Sequence, residues 1–306
     1  MNLCLYIKHN LNMENTDAKP KNLIYLIIAI VIFFVAFIFV YNIYKKEGEK
    51  RSVFIETPSN NPDHLDIFAY IVSIDPIKGD MSVRLNFEPK GTLANEKGFL
   101  NEEVDLYVNS ATGKQEYNFA KNKIINPIEV TLNLYDGLVT DYPFDKHKAE
   151  LIIVTTAKGK KIEGTQETEE LKVDNVLNFS GSVTGYKIDA VQDPEGNESY
   201  TYLNIDIERA SSVLFFSVFV IAVMWVLIIM LLALLYTILV KGRKIEIAMF
   251  TFASAMIFAF PAFRNMMPLS PPIGAFPDYV AFFWAEAAAA LTLVVLILTW
   301  IARKQS

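Results

Sequence analysis

Cysteine and histidine are nearly absent from this sequence. Its 306 residues contain one cysteine, Cys4, and three histidines, His9, His64 and His147. The long polar middle of the chain therefore contains no disulfide, and a zinc site built from Cys and His ligands is not expected. The patterns of phosphate-binding loops, zinc proteases, serine hydrolases and dinucleotide-binding folds are absent as well. We expect no cofactor and no enzymatic activity.

Basic charge is also scarce. Lys and Arg number 28 against 34 Asp and Glu, which gives a formal net charge of −6. Surfaces that bind nucleic acid are basic, so nucleic acid is not an expected partner. Hydrophobic residues, in contrast, make up 52% of the chain. This excess indicates a protein that lies partly in a lipid bilayer.

Four long apolar runs predict the organisation of the chain, because a helix of roughly 20 apolar residues spans a bilayer. One run precedes the polar middle and three follow it. The predicted segments are a cytoplasmic leader (1–22), transmembrane helix 1 (23–44), an extracytoplasmic β domain (45–210), transmembrane helix 2 (211–240), a cytoplasmic loop (241–246), transmembrane helix 3 (247–263), a Pro-rich outer loop (264–278), transmembrane helix 4 (279–301) and a cytoplasmic tail (302–306).

Basic residues near the apolar runs predict the orientation, since they favour the cytoplasmic side. The agreeing clusters are Lys8 with Lys19 and Lys21, Lys241 to Lys244, and Arg303 with Lys304, while Lys45, Lys46, Lys50 and Arg51 oppose them. We expect both termini in the cytoplasm, the first run to be a retained signal anchor, and the β domain to be periplasmic or extracellular. The expected location is the cell inner membrane. Whether translation starts at Met1 or Met13 stays open.

Strict alternation of apolar and polar residues recurs through the middle of the chain. Ile128, Val130 and Leu132 alternate with polar neighbours, which is typical of a half-buried strand. Turn residues separate seven to nine such runs, and strands near Thr184–Val191 and Ser199–Glu208 should form a hairpin. The predicted fold is a mixed membrane protein: four transmembrane α-helices with an antiparallel β-sandwich as the extracytoplasmic domain.

Three charged residues lie inside the fourth apolar run or at the ends of the short loop before it. Glu286 falls inside the fourth run, where a charge costs about 3 kcal/mol unless it is paired or protonated. Arg264 and Asp278 flank the short loop before it, so Arg264 can pair with Asp278 or Glu286. Two interpretations stay open, a functional polar site and an ion pair that pins two helices, and the pin is favoured.

Acidic residues in the predicted turns are weaker candidates. Calcium binds carboxylate oxygens, but the spacing of these residues does not match an EF-hand, and solvated turn residues are the favoured interpretation. The residues are Asp136, Asp141, Asp145, Asp189, Asp193 and Glu195. Asp145 and His147 together suggest acid–base chemistry, but no nucleophile is found in a matching pattern. We therefore expect both to be exposed residues that flank a strand.

Two segments resemble known families. The sequence RNMMPLSPPIGAFPDYVAFFWAE (264–286) resembles the C-terminal signature of the bacterial membrane-protein family called domain of unknown function 4436, and YPFD (142–145) looks like a second segment of it. The resemblance implies one span, an extracytoplasmic domain and three further spans, and no assigned activity. The implied residues at the junction of domain and membrane are Tyr142, Pro143, Phe144, Asp145, Pro271, Pro272, Gly274 and Trp284.

YPFD is also similar to the motif at the domain–membrane junction of pentameric ligand-gated channels, although those channels place all four spans after the β domain. The leading hypothesis is a non-enzymatic binding, sensing or assembly component. A channel-like or transport-associated oligomer and a membrane-bound enzyme are the alternatives. Expected partners are the lipid bilayer and another membrane or envelope protein, with homo-oligomerisation left open.

Overall fold

The computed structural model describes residues 20–48, 52–57, 61–161, 168–193 and 200–303. The chain forms two compact units, Met1–Lys46 and Glu47–Ser306. Helix α1 spans Pro20–Gly48, and its residues up to Lys46 make up the described part of the first unit. The second unit contains the strands and the remaining helices, α2 (Ser211–Leu239), α3 (Ile247–Asn265) and α4 (Phe283–Ala302). All four helices are long and apolar enough to cross a membrane.

Eleven strands are present in the described residues, in two sheets. They are β1 (Val53–Glu56), β2 (His64–Asp75), β3 (Asp80–Pro89), β4 (Val104–Val108), β5 (Glu116–Phe119), β6 (Ile128–Asn133), β7 (Lys146–Lys161), β8 (Thr168–Lys172), β9 (Asp174–Gly181), β10 (Tyr186–Gln192) and β11 (Tyr200–Arg209). One sheet has the order β1-β9-β2-β3-β6. The other has the order β10-β11-β7-β4-β5, with β8 also paired to β7.

Among the described residues, strand pairing is antiparallel with one exception. Strands β2 and β9 pair in parallel, with Leu65 opposite Asn175, so the predicted purely antiparallel arrangement is wrong at this position. A parallel pair needs a long crossover connection, and here that connection carries most strands of the other sheet. The predicted hairpin is confirmed in its strands, since β10 pairs with β11. Most of its turn lies outside the described residues.

The alternating residues build one apolar core from both sheets. Val83, Val130 and Leu132 from the first sheet are fully buried, as are Leu151 and Leu203 from the second. The polar residues between them face outward, which is the pattern expected of a strand with one solvated side. A chain of buried hydrogen bonds also joins the sheets, because Asn175 on β9 donates to Thr155 on β7 and accepts from Thr201 on β11.

Helices α2, α3 and α4 pack against one another through a second apolar cluster. Helix α4 contributes Ala285 and Ala289, whose small side chains let the neighbouring helices approach closely. Helix α3 continues through Pro261 to Asn265. A single turn of π-helix, Asp278–Phe282, leads into α4.

Candidate functional site at the strand–helix junction

Strand β11 and helix α2 are almost continuous. The strand ends at Arg209 and the helix begins at Ser211, so Ala210 alone separates them. The Ala210 amide also donates to the carbonyl of Gly185. Any interaction that fixes Arg209 therefore fixes the first turn of α2 as well.

Arg209 forms a buried, two-pronged ion pair with Asp145. Its Nε donates to Oδ1 at 2.9 Å and its Nη2 donates to Oδ2 at 2.7 Å. The two side chains are 5% and 0% exposed. Asp145 lies directly before β7, so the pair joins the start of one strand to the end of its neighbour. Such fork-to-fork geometry is the strongest form of a charged hydrogen bond.

His147 completes the environment of the carboxylate. Its Nε2 lies 3.0 Å from Asp145 Oδ2, and its Nδ1 lies 3.1 Å from the carbonyl oxygen of Asp136. Both ring nitrogens thus face oxygen atoms that can accept a hydrogen bond. Counting backbone and side chain together, Asp145 is 3% exposed and His147 is 5% exposed. The expectation of surface residues is therefore wrong, because Arg209, 62 or more residues away in sequence, supplies the partner that permits burial.

Two tyrosine rings enclose the guanidinium. The Arg209 Cζ lies 5.2 Å from the centre of the Tyr142 ring and 4.9 Å from that of Tyr186. Arg209 Nη1 also donates to the Tyr186 hydroxyl at 3.1 Å. A cation over an aromatic face gains about 2 kcal/mol where water is excluded. The rings therefore replace the water that Arg209 gives up.

Burial and charge act in opposite directions on these groups. Burial alone would raise the pKa of Asp145, but hydrogen bonds from His147 and Arg209 and the Arg209 charge lower it below its ordinary 3.8. Burial raises the pKa of Tyr142 and of Tyr186. Asp145 is therefore an anion and both tyrosines are neutral at physiological pH.

Tyr142 extends the cluster into the helices. The Tyr142–Pro143 peptide bond is cis. The phenol, which is fully buried, donates to the carbonyl of Pro268 at 2.8 Å and lies 2.7 Å from the hydroxyl of Ser217 on α2. Ser217 can donate to Tyr142 or to the Val213 carbonyl at 2.8 Å. One side chain of the β domain thus contacts both α2 and the loop that follows α3.

Two further contacts join the β domain to this loop. The Phe144 ring meets the Phe276 ring edge-on, with centres 5.7 Å apart. Gly185 lies against Leu269, and a Cβ atom at Gly185 would come within 2.7 Å of Leu269 Cδ1. Gly185 also has a φ of +86°, a conformation that favours glycine. The Pro-rich loop therefore lies against the β domain.

A second buried ion pair shapes the loop itself. Arg264 Nε donates to Asp278 Oδ1 at 2.9 Å, and Arg264 Nη2 donates to Oδ2 at 3.0 Å and to the Pro272 carbonyl at 2.8 Å. The Gly274 amide donates to Asp278 Oδ2 at 2.7 Å. The two charged residues are 8% and 1% exposed. This pair closes the loop between α3 and α4.

Glu286 takes no part in that pair. Its Oε1 is buried, and among the described residues it has no hydrogen-bond partner. The structure thus pairs Arg264 with one of the two predicted carboxylates and leaves the other inside α4. Thr292, further along α4, also has a buried hydroxyl without a hydrogen-bond partner in the described part of the chain.

The remaining predicted residues divide between the junction and its surroundings. Pro143 and Pro271 are buried, whereas Trp284 is 61% exposed and donates to the Tyr279 carbonyl. Within the described ranges, no group of three or more His, Cys, Asp or Glu residues is arranged to hold a metal. Glu195 lies outside them. Sequence reasoning missed Arg209, Tyr186 and Ser217, although a lone arginine directly before an uncharged helix is a usable signal.

Comparison with known families divides the chain between the strands and the last three helices. Residues 55–207, half of the chain, match the family described as domain of unknown function DUF4436. The chain belongs to the DUF4436 family. Residues 209–303 match a second domain of unknown function, DUF8686, and no curated protein matches the chain. Tyr142–Asp145 falls in the DUF4436 match and 264–286 in the DUF8686 match. The Asp145–Arg209 pair joins the two.

Replacing Asp145 with Asn should lower the free energy of unfolding by about 3–5 kcal/mol, because the Arg209 charge would remain buried without its counter-charge. Urea unfolding of the detergent-solubilised protein measures the change. Asp141→Asn is the matched control, since Asp141 is an exposed carboxylate four residues earlier. Equal losses in the two variants would contradict a special role for the pair.

The same variant should have a defined pH dependence. The folded-state pKa of Asp145 lies below 3.8, so its charge stabilises the fold above that pH, and this contribution is lost as the pH falls through the folded-state pKa. The difference in the free energy of unfolding between wild type and Asp145→Asn should be constant from neutral pH to about 4. Below that pH the difference should become smaller. A difference that instead widens in acid would refute this assignment.

Asp278→Asn and Glu286→Gln should behave differently although both remove a carboxylate from the helix region. Asp278→Asn should cost about 3–5 kcal/mol, because Arg264 loses its buried partner. Glu286→Gln should leave folding unchanged, because Glu286 has no ion pair with Arg264 to lose. Yield and thermal unfolding of the two variants in mild detergent measure the difference. Similar losses in both would mean that Glu286 also pins the helices.

Proposed function

We propose that this chain is a non-enzymatic, multi-pass membrane protein whose β domain binds or senses a protein or envelope component. Binding would change the conformation of the β domain, and the junction would transmit that change to the helices. Its four helices are apolar enough to cross a membrane, which supports insertion in the cell inner membrane. Both termini then lie in the cytoplasm, and the two sheets, stacked as a β-sandwich on a shared core, lie outside. Family membership assigns no activity.

The observation that carries this proposal is the buried junction. A β domain that functions independently of the helices would need only a covalent linker to them. Here a tyrosine hydroxyl, an aromatic pair and a glycine–leucine contact join the β domain to α2 and to the Pro-rich loop. The Asp145–Arg209 ion pair fixes the end of β11, from which α2 continues. A shift of β7 relative to β11 must therefore displace Arg209 and the start of α2. Packed interfaces of this kind respond to strain by switching between arrangements.

Glu286 favours a second candidate, a channel-like or transport-associated subunit. A carboxyl oxygen without a hydrogen-bond partner inside an apolar helix is expensive, and such groups commonly face an ion path or another subunit. A lone bundle of this size makes a poor pore, so this candidate requires homo-oligomerisation. Ion flux through vesicles that is lost in Glu286→Gln would favour it over the sensing proposal.

The orientation can be tested with cysteines placed in a Cys4→Ser background. Lys121→Cys, in the β domain, should react with a membrane-impermeant maleimide on intact cells, and Lys244→Cys should react after permeabilisation only. Both lysines are exposed, so the two positions form a matched pair. Labelling of Lys244→Cys but not Lys121→Cys on intact cells would reverse the proposed topology.

Coupling can be tested by removing one hydroxyl. Tyr142→Phe removes the hydrogen bond to Pro268 and the contact with Ser217, a loss of about 1 kcal/mol, so amide hydrogen exchange in residues 265–277 and in the first turns of α2 should accelerate about fivefold.

Tyr135→Phe is the matched control, because the Tyr135 hydroxyl donates to Glu150 on the exposed side of the β domain. It should leave exchange in the helices unchanged. Equal exchange in wild type and Tyr142→Phe would contradict coupling through this contact.

A further inference from the structure

A cavity lies beside the junction, between the β domain and the first turns of α2. Its volume is about 590 Å³, within the range of roughly 300–1,000 Å³ for small-molecule sites. Val183 forms a wall on the β-domain side, Val213 and Phe216 form a wall on α2, and Pro268 and Leu269 form a wall on the loop.

The lining has an apolar part and a polar rim. The exposed hydroxyl residues Ser182, Thr184 and Ser212 lie at the rim. Glu47, the first residue of the same unit, lies there too and accepts hydrogen bonds from the Ser212 amide and hydroxyl at 2.8 and 3.0 Å. A ligand with an apolar chain and a polar end matches this arrangement, and the carboxylate at the rim disfavours a ligand whose polar end is purely anionic.

The depth of the cavity argues for one source of such a ligand. Ser212 is the second residue of α2, and no charged residue follows between Ser211 and Val240. If α2 spans the bilayer as proposed above, the cavity lies at the outer edge of the hydrocarbon region. Lipid is the amphiphile present there at the highest concentration.

The walls of this cavity are also residues of the junction. Tyr186, which lines it, contacts Arg209 through its hydroxyl, and Pro268 accepts from Tyr142. Leu269 packs on Gly185. An acyl chain in the cavity would therefore contact the same loop that links the β domain to the helices.

We propose that this cavity binds one acyl chain of an outer-leaflet phospholipid, with its headgroup at the rim near Ser212 and Thr184. The bound chain fills the gap between α2 and the loop and so stabilises the junction. This inference rests on the proposed membrane insertion.

The test uses the full chain in vesicles of phosphatidylethanolamine that contain a small fraction of the same lipid with a photoactivatable group in its acyl chain. After illumination, peptide mass spectrometry locates the label. The expected result is labelling of residues 182–186 and 212–216, and its loss in Thr184→Trp, which fills the rim. Thr112→Trp, at an exposed loop elsewhere in the β domain, should leave labelling unchanged.

Other outcomes separate the two proposals. Label on α2 to α4 but not around the cavity would overturn the lipid site and leave membrane insertion intact. An absence of label on all helices would overturn insertion itself. Labelling of the cavity by an added free fatty acid probe, but not by the phospholipid, would also overturn the proposal, because the occupant would then be a soluble amphiphile.

Discussion

A carboxylate buried beside a guanidinium, Asp145 beside Arg209, is the interaction on which the arrangement of strands and helices depends. Removing two charges from water costs several kcal/mol per ion, and good geometry is needed to recover it. The two-pronged contact, the His147 ring and the two tyrosine faces supply that geometry. Since Arg209 is followed by α2 after one residue, the position of the pair determines where the helix starts.

The Arg264–Asp278 pair fixes the conformation of the Pro-rich loop in the same way. It holds the segment between α3 and α4 in a shape that presents the Pro268 carbonyl, Leu269 and Phe276 to the β domain. Apolar contacts can form in many arrangements, whereas a charged pair with two hydrogen bonds tolerates few. The two pairs therefore specify which residues meet, and apolar burial in the two clusters supplies most of the stability.

Much of this architecture could be predicted from local patterns. Alternation in stretches such as Ile128–Leu132 identifies strands, and run length identifies helices, because both signals arise within a few residues. The parallel pairing of β2 with β9 could not be predicted, because it depends on contacts between residues about 110 positions apart, such as Leu65 and Asn175. The prediction that Asp145 and His147 are exposed was wrong for the same reason. A charged residue is expected at the surface unless its partner is known, and Arg209 is distant in sequence.

The most direct test of this account is a double-mutant cycle on Asp145 and Arg209, with Asp145→Asn, Arg209→Gln and the combined variant. The free energy of unfolding of each is measured by urea titration in the same detergent. If the pair holds the junction together, the interaction energy from the cycle should be about 2–3 kcal/mol, and the double variant should lose much less than the sum of the single losses. Additive losses, within about 0.5 kcal/mol, would contradict the account.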